Sequence, residues 1–312
     1  MNLIMRFIDK ILDLTVFFSF DSYGYKRHKK YFDEEALNQN IQGKVCLVTG
    51  ANNGIGFYIA KKLASHGAKV FMLCRNKTKG EFAVNKLKSE GCDVTLEVVD
   101  VSDSKSIEEF ISKFREKHID ILIHNAGLIP TERSFTRDGL ELAFATHIFG
   151  PHLITKLLTP RLKGGRIIWV VSGGMYLIKF SFLKALGKQG KYNGVSSYAQ
   201  TKRGQVILSE IWSEKLEDSN VLVSSMHPGW VRTPGLQKSL PFFSNYLEKR
   251  LRNLAEGADT IYWLAASKNK KIKTGKLWFD RKKRNKYLWL TKEHQRERDA
   301  LWDFCESFFK IH

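Results

Sequence analysis

Tyr198 and Lys202 stand four residues apart in the run Tyr-Ala-Gln-Thr-Lys. On a helix that spacing puts a phenol and an ammonium on one face, a single turn apart. A free tyrosine has a pKa of roughly 10, too high for ready proton exchange near neutrality. A neighbouring ammonium favours the phenolate and is expected to bring that value down, toward the range where an acid or base works efficiently. Ser172 closes an apolar strand pattern 26 residues earlier, and its hydroxyl can fix a substrate oxygen beside the phenol. The three suit proton transfer to or from the oxygen of an alcohol or carbonyl. Taken singly, such a pair occurs in many helices, so its context decides.

That context begins at residues 44–56, Lys-Val-Cys-Leu-Val-Thr-Gly-Ala-Asn-Asn-Gly-Ile-Gly. Residues 44–49 read as a short buried strand. Gly50 permits a sharp turn, Gly54 lets the backbone approach a phosphate, and Gly56 lets the next helix pack on the strand. The helix from 55 to 66 turns free N–H groups and a positive dipole end toward that phosphate. The spacing is Gly-x-x-x-Gly-x-Gly, and it resembles the TGxxxGIG signature of the short-chain dehydrogenase/reductase family. Tyr-x-x-x-Lys downstream of a Ser-ended strand, in this order, resembles the same family.

The resemblance implies roles for further residues. Gly50, Asn52, Asn53, Gly54, Ile55 and Gly56 form the dinucleotide turn. Asp100 accepts from the adenine amino group, with Val101 nearby. His124-Asn125-Ala126-Gly127 resembles the family's NNAG element: Asn125 braces the central strands, and Ala126 and Gly127 let the cofactor pass. Ser172, Tyr198 and Lys202 are catalytic, and Lys202 also holds the nicotinamide ribose. Pro228, Gly229, Val231 and Thr233 belong to the loop that closes over the nicotinamide. A fourth catalytic residue, an Asn in an Asn-x-x-Gly run, is replaced: His147-Ile-Phe-Gly stands there. An imidazole able to bind water keeps His147 a catalytic candidate; a satisfied helix residue is the alternative.

The second strand pattern ends at Cys74 and Arg75, with no acid to bind ribose hydroxyls. A guanidinium can pair a 2′-phosphate bidentately, so NADP(H) is expected over NAD(H). Residues 176–193 lengthen the gap between Ser172 and Tyr198. They resemble the extended segment of retinol- and carbonyl-reducing members, and Leu177, Ile178, Phe180, Phe182 and Leu183 suggest a lipophilic substrate; covering the core is the plainer use for them.

These residues need elements to place them. Strand patterns at 44–49, 69–74, 94–99, 119–124, 166–172, 221–227 and 276–279 alternate with helical patterns at 80–90, 104–117, 139–158, 198–216 and 256–266. That alternation predicts an α/β fold, a Rossmann-like doubly wound parallel sheet of about seven strands with helices on both faces. One domain is read at 41–280, after an N-terminal segment at 1–40 and before a basic loop and C-terminal helix at 281–312. Residues 2–20 read as an amphipathic helix, and 23–32 as a basic and aromatic cluster. Contact with an anionic membrane surface and docking on the protein's own core both fit. The run Arg281, Lys282, Lys283, Arg284 and Lys286 reads as a solvated loop.

The chain carries 51 Lys+Arg against 32 Asp+Glu, a net charge of +19. That favours anionic partners, yet no nucleic-acid module appears and the aromatics do not alternate with Arg on one face. Four cysteines lack metal-ligand spacing, so no metal is expected, and reduced thiols suit the cytoplasm. Family members often pair through their central helices. The reading is an NADP(H)-dependent oxidoreductase acting on a small lipophilic alcohol or carbonyl. The alternative, motivated by His147, is a catalytically weak nucleotide-binding regulatory or scaffold protein.

Overall fold

The computed structural model describes residues 12–13, 16–33 and 41–311; most of the expected helix over 2–20 lies outside them. Eight strands form one sheet: β1 Val45–Thr49, β2 Lys69–Cys74, β3 Val94–Val98, β4 Ile121–His124, β5 Arg166–Val170, β6 Leu222–Met226, β7 Lys276–Phe279 and β8 Lys282–Arg284. Their order is 3-2-1-4-5-6-7-8. The first seven run parallel, and β8 returns antiparallel to β7. The central strands are near-continuous apolar runs because helices cover both faces. Strand order reverses between β1 and β4, which opens a crevice at their carboxyl ends.

The longer helices are α1 Ser22–Lys29, α2 Gly54–Ala64, α3 Lys77–Ser89, α4 Ser104–Lys113, α5 Gly150–Leu158, α6 Gly194–Lys215, α7 Leu254–Ala266 and α8 Gln295–Ile311. One core joins Leu47, Phe71 and Ile167 to α4, α5 and α6 through Phe110, Ile154 and Val206. The other joins Cys46, Val48 and Ile168 to α2, α3 and α7 through Ile59, Val84 and Ile261. The alternation of Cys46, Leu47 and Val48 between faces follows from the two-residue period of a strand.

Two helix starts differ from expectation, each for a local reason. Helix α6 begins at Gly194, ahead of Tyr198, because the Asn193 side chain caps it by accepting from the Ser196 N–H at 2.9 Å. The predicted 139–158 helix begins only at Leu142 and passes through a π-helical turn, Ala145–Phe149, before α5. His147 lies in that turn.

The basic run is not a solvated loop. Lys282, Lys283 and Arg284 build β8. Arg281 pairs with Asp259 at 2.6 Å, Arg284 with Asp13 at 3.1 Å, and Lys286 with Glu210. Helix α1 docks on the domain: Tyr25 and His28 are buried, while Tyr23, Lys26, Lys29 and Lys30 face outward. Helix α8 packs on the domain too, with Leu301 and Cys305 fully buried and Phe308 and Trp302 against Phe149 and Trp212. Among the described residues no helix is long and apolar enough to cross a membrane.

Candidate active site

The glycine turn is built where three loops converge. Gly50 and Gly54 have φ of +66° and +56°, a region open to glycine. A Cβ on Gly56 would lie 2.3 Å from Gly50 O and 2.4 Å from Asn125 Nδ2, so only glycine lets α2 sit this close to β1. A Cβ on Gly50 would meet Ala126 Cα at 2.9 Å, and one on Gly54 would meet Thr233 Cγ2 at 3.6 Å. At the start of α2, Asn53 has extended backbone and its side chain makes no capping bond. Asn52 and Ile55 beside it are half-buried. A helix N-terminus without a side-chain cap, entered by a turn whose glycines carry no side chain of their own, fits the pyrophosphate of a dinucleotide.

Asn125 braces the floor of this crevice. Its Nδ2 donates to Thr49 O at 2.9 Å and Gly50 O at 3.3 Å. The Thr49 hydroxyl accepts from the Asn125 and Ala126 N–H groups at 2.9 and 3.0 Å. The ends of β1 and β4 are thereby locked together.

At the carboxyl end of β2, Cys74 is buried and burial pushes its thiol up to about 11. Arg75 is largely exposed, with Nε 3.8 Å from Asp100 Oδ2. Asp100 Oδ1 is occupied, accepting from Ser102 N and Oγ at 2.9 and 2.6 Å. Val101 is buried, and its carbonyl lies against Gly150, where any Cβ would sit 1.7 Å away.

Ser172, Tyr198 and Lys202 come together at the carboxyl end of β5. Ser172 Oγ accepts from Gly174 N–H at 3.3 Å and stands beside the Tyr198 phenol. The expected acidification of Tyr198 by Lys202 is not what this structure holds. Burial raises the phenol above its ordinary value, and the neighbouring Ser172 hydroxyl only partly offsets it. Burial also pushes the Lys202 ammonium down to about 7. Lys202 Nζ lies 5.6 Å from the Tyr198 ring centroid and donates elsewhere, to Val170 O and Gln205 Oε1, each at 2.9 Å. The spacing of the pair is as expected; the low dielectric around it works against both charged forms.

His147 is fully buried, with both ring nitrogens engaged. Nε2 accepts from the Leu128 N–H at 3.0 Å, so the ring proton sits on Nδ1 and is donated to Thr201 Oγ1 at 2.8 Å. That hydroxyl donates in turn to Tyr198 O at 3.0 Å. Burial and the nearby Lys202 hold the imidazole neutral. His147 thus ties the loop after β4 to the turn of α6 that carries Tyr198, and neither nitrogen is left for a relay water. Gly127 sits beneath: a Cβ there would lie 3.2 Å from His147 Nε2 and 3.5 Å from Lys202 Nζ.

The loop after β6 closes the crevice from the other side. Thr233 caps the short helix Pro234–Ser239, and Ser239 Oγ donates to Ile129 O at 3.1 Å, which joins this loop to the one after β4. Val231 is buried against Gly257, so its side chain serves packing. Pro228 O accepts from Arg252 at 3.2 Å.

Comparison with known proteins decides the family. The profile of the short chain dehydrogenase family matches residues 44–241. The chain belongs to the short-chain dehydrogenase/reductase family. It is an oxidoreductase acting on CH–OH groups with a nicotinamide nucleotide. Over 266 residues it is 38% identical to human dehydrogenase/reductase SDR family member 12, covering 83% of each chain. Over 307 residues it is 32% identical to human retinol dehydrogenase 12, covering 94% of this chain and 96% of that one. Its fold matches that of L-sorbose reductase from Gluconobacter frateurii, solved with NADPH and L-sorbose. The TM-score is 0.65 at 22% identity, over 78% of this chain and 96% of that one.

Sequence reasoning missed Thr201, Gln205 and Arg252. Thr201 and Gln205 are buried polar residues on the same helix as Lys202, a signal visible beside the Tyr-x-x-x-Lys run. Arg252 gave none, since nothing local marks a surface-type residue as buried. The insertion at 176–193 also divides differently from a substrate wall. Phe180 enters the core, and Phe182 packs on Phe304 of α8 at 5.4 Å, whereas Leu177 and Leu183 stay exposed.

Proposed function

We propose that this protein is an NADP(H)-dependent reductase or dehydrogenase interconverting a lipophilic carbonyl and its alcohol. Ser172, Tyr198 and Lys202 are its catalytic residues, and His147 is a residue that positions them. The observation that carries this reading is the approach of Ser172 and Lys202 to Tyr198, with Lys202 also lying beside Gly127. The bound nicotinamide supplies or takes a hydride at the carbon bearing the oxygen. In the reducing direction the Ser172 hydroxyl holds the carbonyl oxygen, and Tyr198 Oη donates its proton to that oxygen. Lys202 holds the nicotinamide ribose, and its charged form favours the phenolate left behind. Oxidation runs the same steps backward.

Arg75, with no acid at Cys74, supports NADP(H) over NAD(H). Asp100 and Val101 border the adenine position, and Pro228, Gly229, Val231 and Thr233 the nicotinamide. Relatives named as retinol dehydrogenases support a lipophilic substrate, as do the exposed Leu177 and Leu183. The outward face of α1, with Tyr23, Lys26, Lys29 and Lys30, suits peripheral contact of a cytoplasmic protein with an anionic membrane surface. The four buried free thiols suit that reducing compartment. Tryptophan quenching by NADPH against NADH, followed by a panel of retinals, steroids, aldehydes and quinones, tests the reading. Tighter NADPH binding with saturable turnover supports it. The engaged nitrogens of His147 favour a second reading, a regulatory protein that binds the nucleotide without turnover; binding with no turnover across the panel would select it.

A further inference from the structure

Arg252 has no exposed surface and uses all five of its N–H donors. Nε donates to Asp21 O at 3.1 Å, and Nη2 to Ser19 O at 3.0 Å. Nη1 donates to Pro228 O at 3.2 Å, and both Nη groups reach the Asp280 carboxylate at 2.6 and 2.8 Å. Backbone bonds knit the same three segments. Trp230 N–H donates to Phe20 O at 2.8 Å and Ser22 N–H to Arg250 O at 2.9 Å. Arg252 N–H donates to Trp230 O at 2.7 Å and Arg232 N–H to Arg252 O at 2.9 Å. His28 secures the far end: Nδ1 lies 2.6 Å from Asp280 and Nε2 2.5 Å from Asp13.

Phe20 reaches both sides of the reacting half of the crevice. Its ring lies against Gly173, the residue after Ser172, where a Cβ would come within 2.3 Å of it. The same ring contacts His227 and Trp230, with centroids 4.5 and 6.0 Å away. Gly229 has φ +77°, and a Cβ there would sit 2.5 Å from both Phe20 O and Arg252 Nε. The N-terminal segment is therefore built into the loop after β6, and the glycine of that loop is required by its passage.

We propose that residues 19–28 form a strap that fixes the nicotinamide side of the cofactor site, with Arg252 as its positioning residue. This rests on the functional reading above for which end of the nucleotide the loop meets. The adenosine end lies at β2 and β3, where none of the strap's contacts named here reaches. The strap therefore acts on one half of the cofactor only.

The test uses the full chain carrying Arg252→Lys, which keeps the charge and loses the five-donor fork, with Phe20→Ala as a second variant. Amide exchange at 228–232 is expected to quicken while β1 and β2 amides stay as in the wild type. Affinity for NADPH is expected to fall about tenfold, with that for 2′,5′-ADP, which lacks the nicotinamide half, unchanged. Unaltered exchange at 228–232 in both variants overturns the proposal, as does equal weakening of NADPH and 2′,5′-ADP. If the wild type binds neither nucleotide, the functional reading falls and the exchange comparison alone decides the strap.

Discussion

Burial sets the protonation of Lys202 before any ligand arrives. Its value is pushed from 10.5 to about 7, so between those limits the unfolded chain holds a proton that the folded chain lacks. Stability must rise with pH across that window, and the penalty of the buried charge is fully present below about 7. Lys202→Met is expected to remove this slope, since the variant has nothing to titrate there. Urea unfolding at several pH values between 7 and 10.5 checks it; parallel curves for the two proteins would contradict it. The identities of Ser172, Tyr198 and Lys202 were legible from spacing alone. The direction of the pKa shifts of Tyr198 and Lys202 was not, because it depends on burial.

Elements bring these side chains into register, and two predictions belong to their contacts. Gly56→Ala forces a methyl onto Gly50 O and Asn125 Nδ2. Such overpacking costs roughly 1–3 kcal/mol and should push α2 off β1, abolishing nucleotide binding; urea midpoints and NADPH titration read both. Thr201→Val leaves the His147 Nδ1–H without its acceptor and should cost about 1–3 kcal/mol, with Thr201→Ser largely restoring it. Seven strands and the main helices were readable from alternation and capping residues. The π-helical turn at Ala145–Phe149 was not; no local residue marks it, and the Gly150 that follows it packs on Val101 O of a distant segment.

At the scale of the whole molecule, helix α8 is fastened to the domain by buried charge. Arg203 and Glu293 have side chains 0% and 1% exposed and lie 3.3 Å apart; Arg298 joins Glu293 at 3.0 Å and also pairs with Glu210. Removing one member strands a buried charge, so Glu293→Gln should cost about 3–5 kcal/mol and loosen α8, seen as a lower Tm and faster exchange at 295–309. Helix α8 covers α5 and α6 with Trp302, which packs on His152 and Trp212, and the turns before α5 with Phe304 and Phe308. Light scattering on the full chain is therefore expected to give one chain's mass, 35.9 kDa; twice that value would place a partner on another face. The sequence announced a basic excess and an apolar last helix. It did not reveal that Arg281 and Arg284 are paired, because their partners Asp259 and Asp13 are brought to them only by the fold.

The most direct test of the account is single-turnover oxidation of NADPH by Tyr198→Phe with a carbonyl that the wild type accepts. Loss of the positioned proton donor should slow the step by at least about a hundredfold, with NADPH affinity unchanged. A variant that oxidises NADPH at the wild-type rate would contradict the assignment of Tyr198.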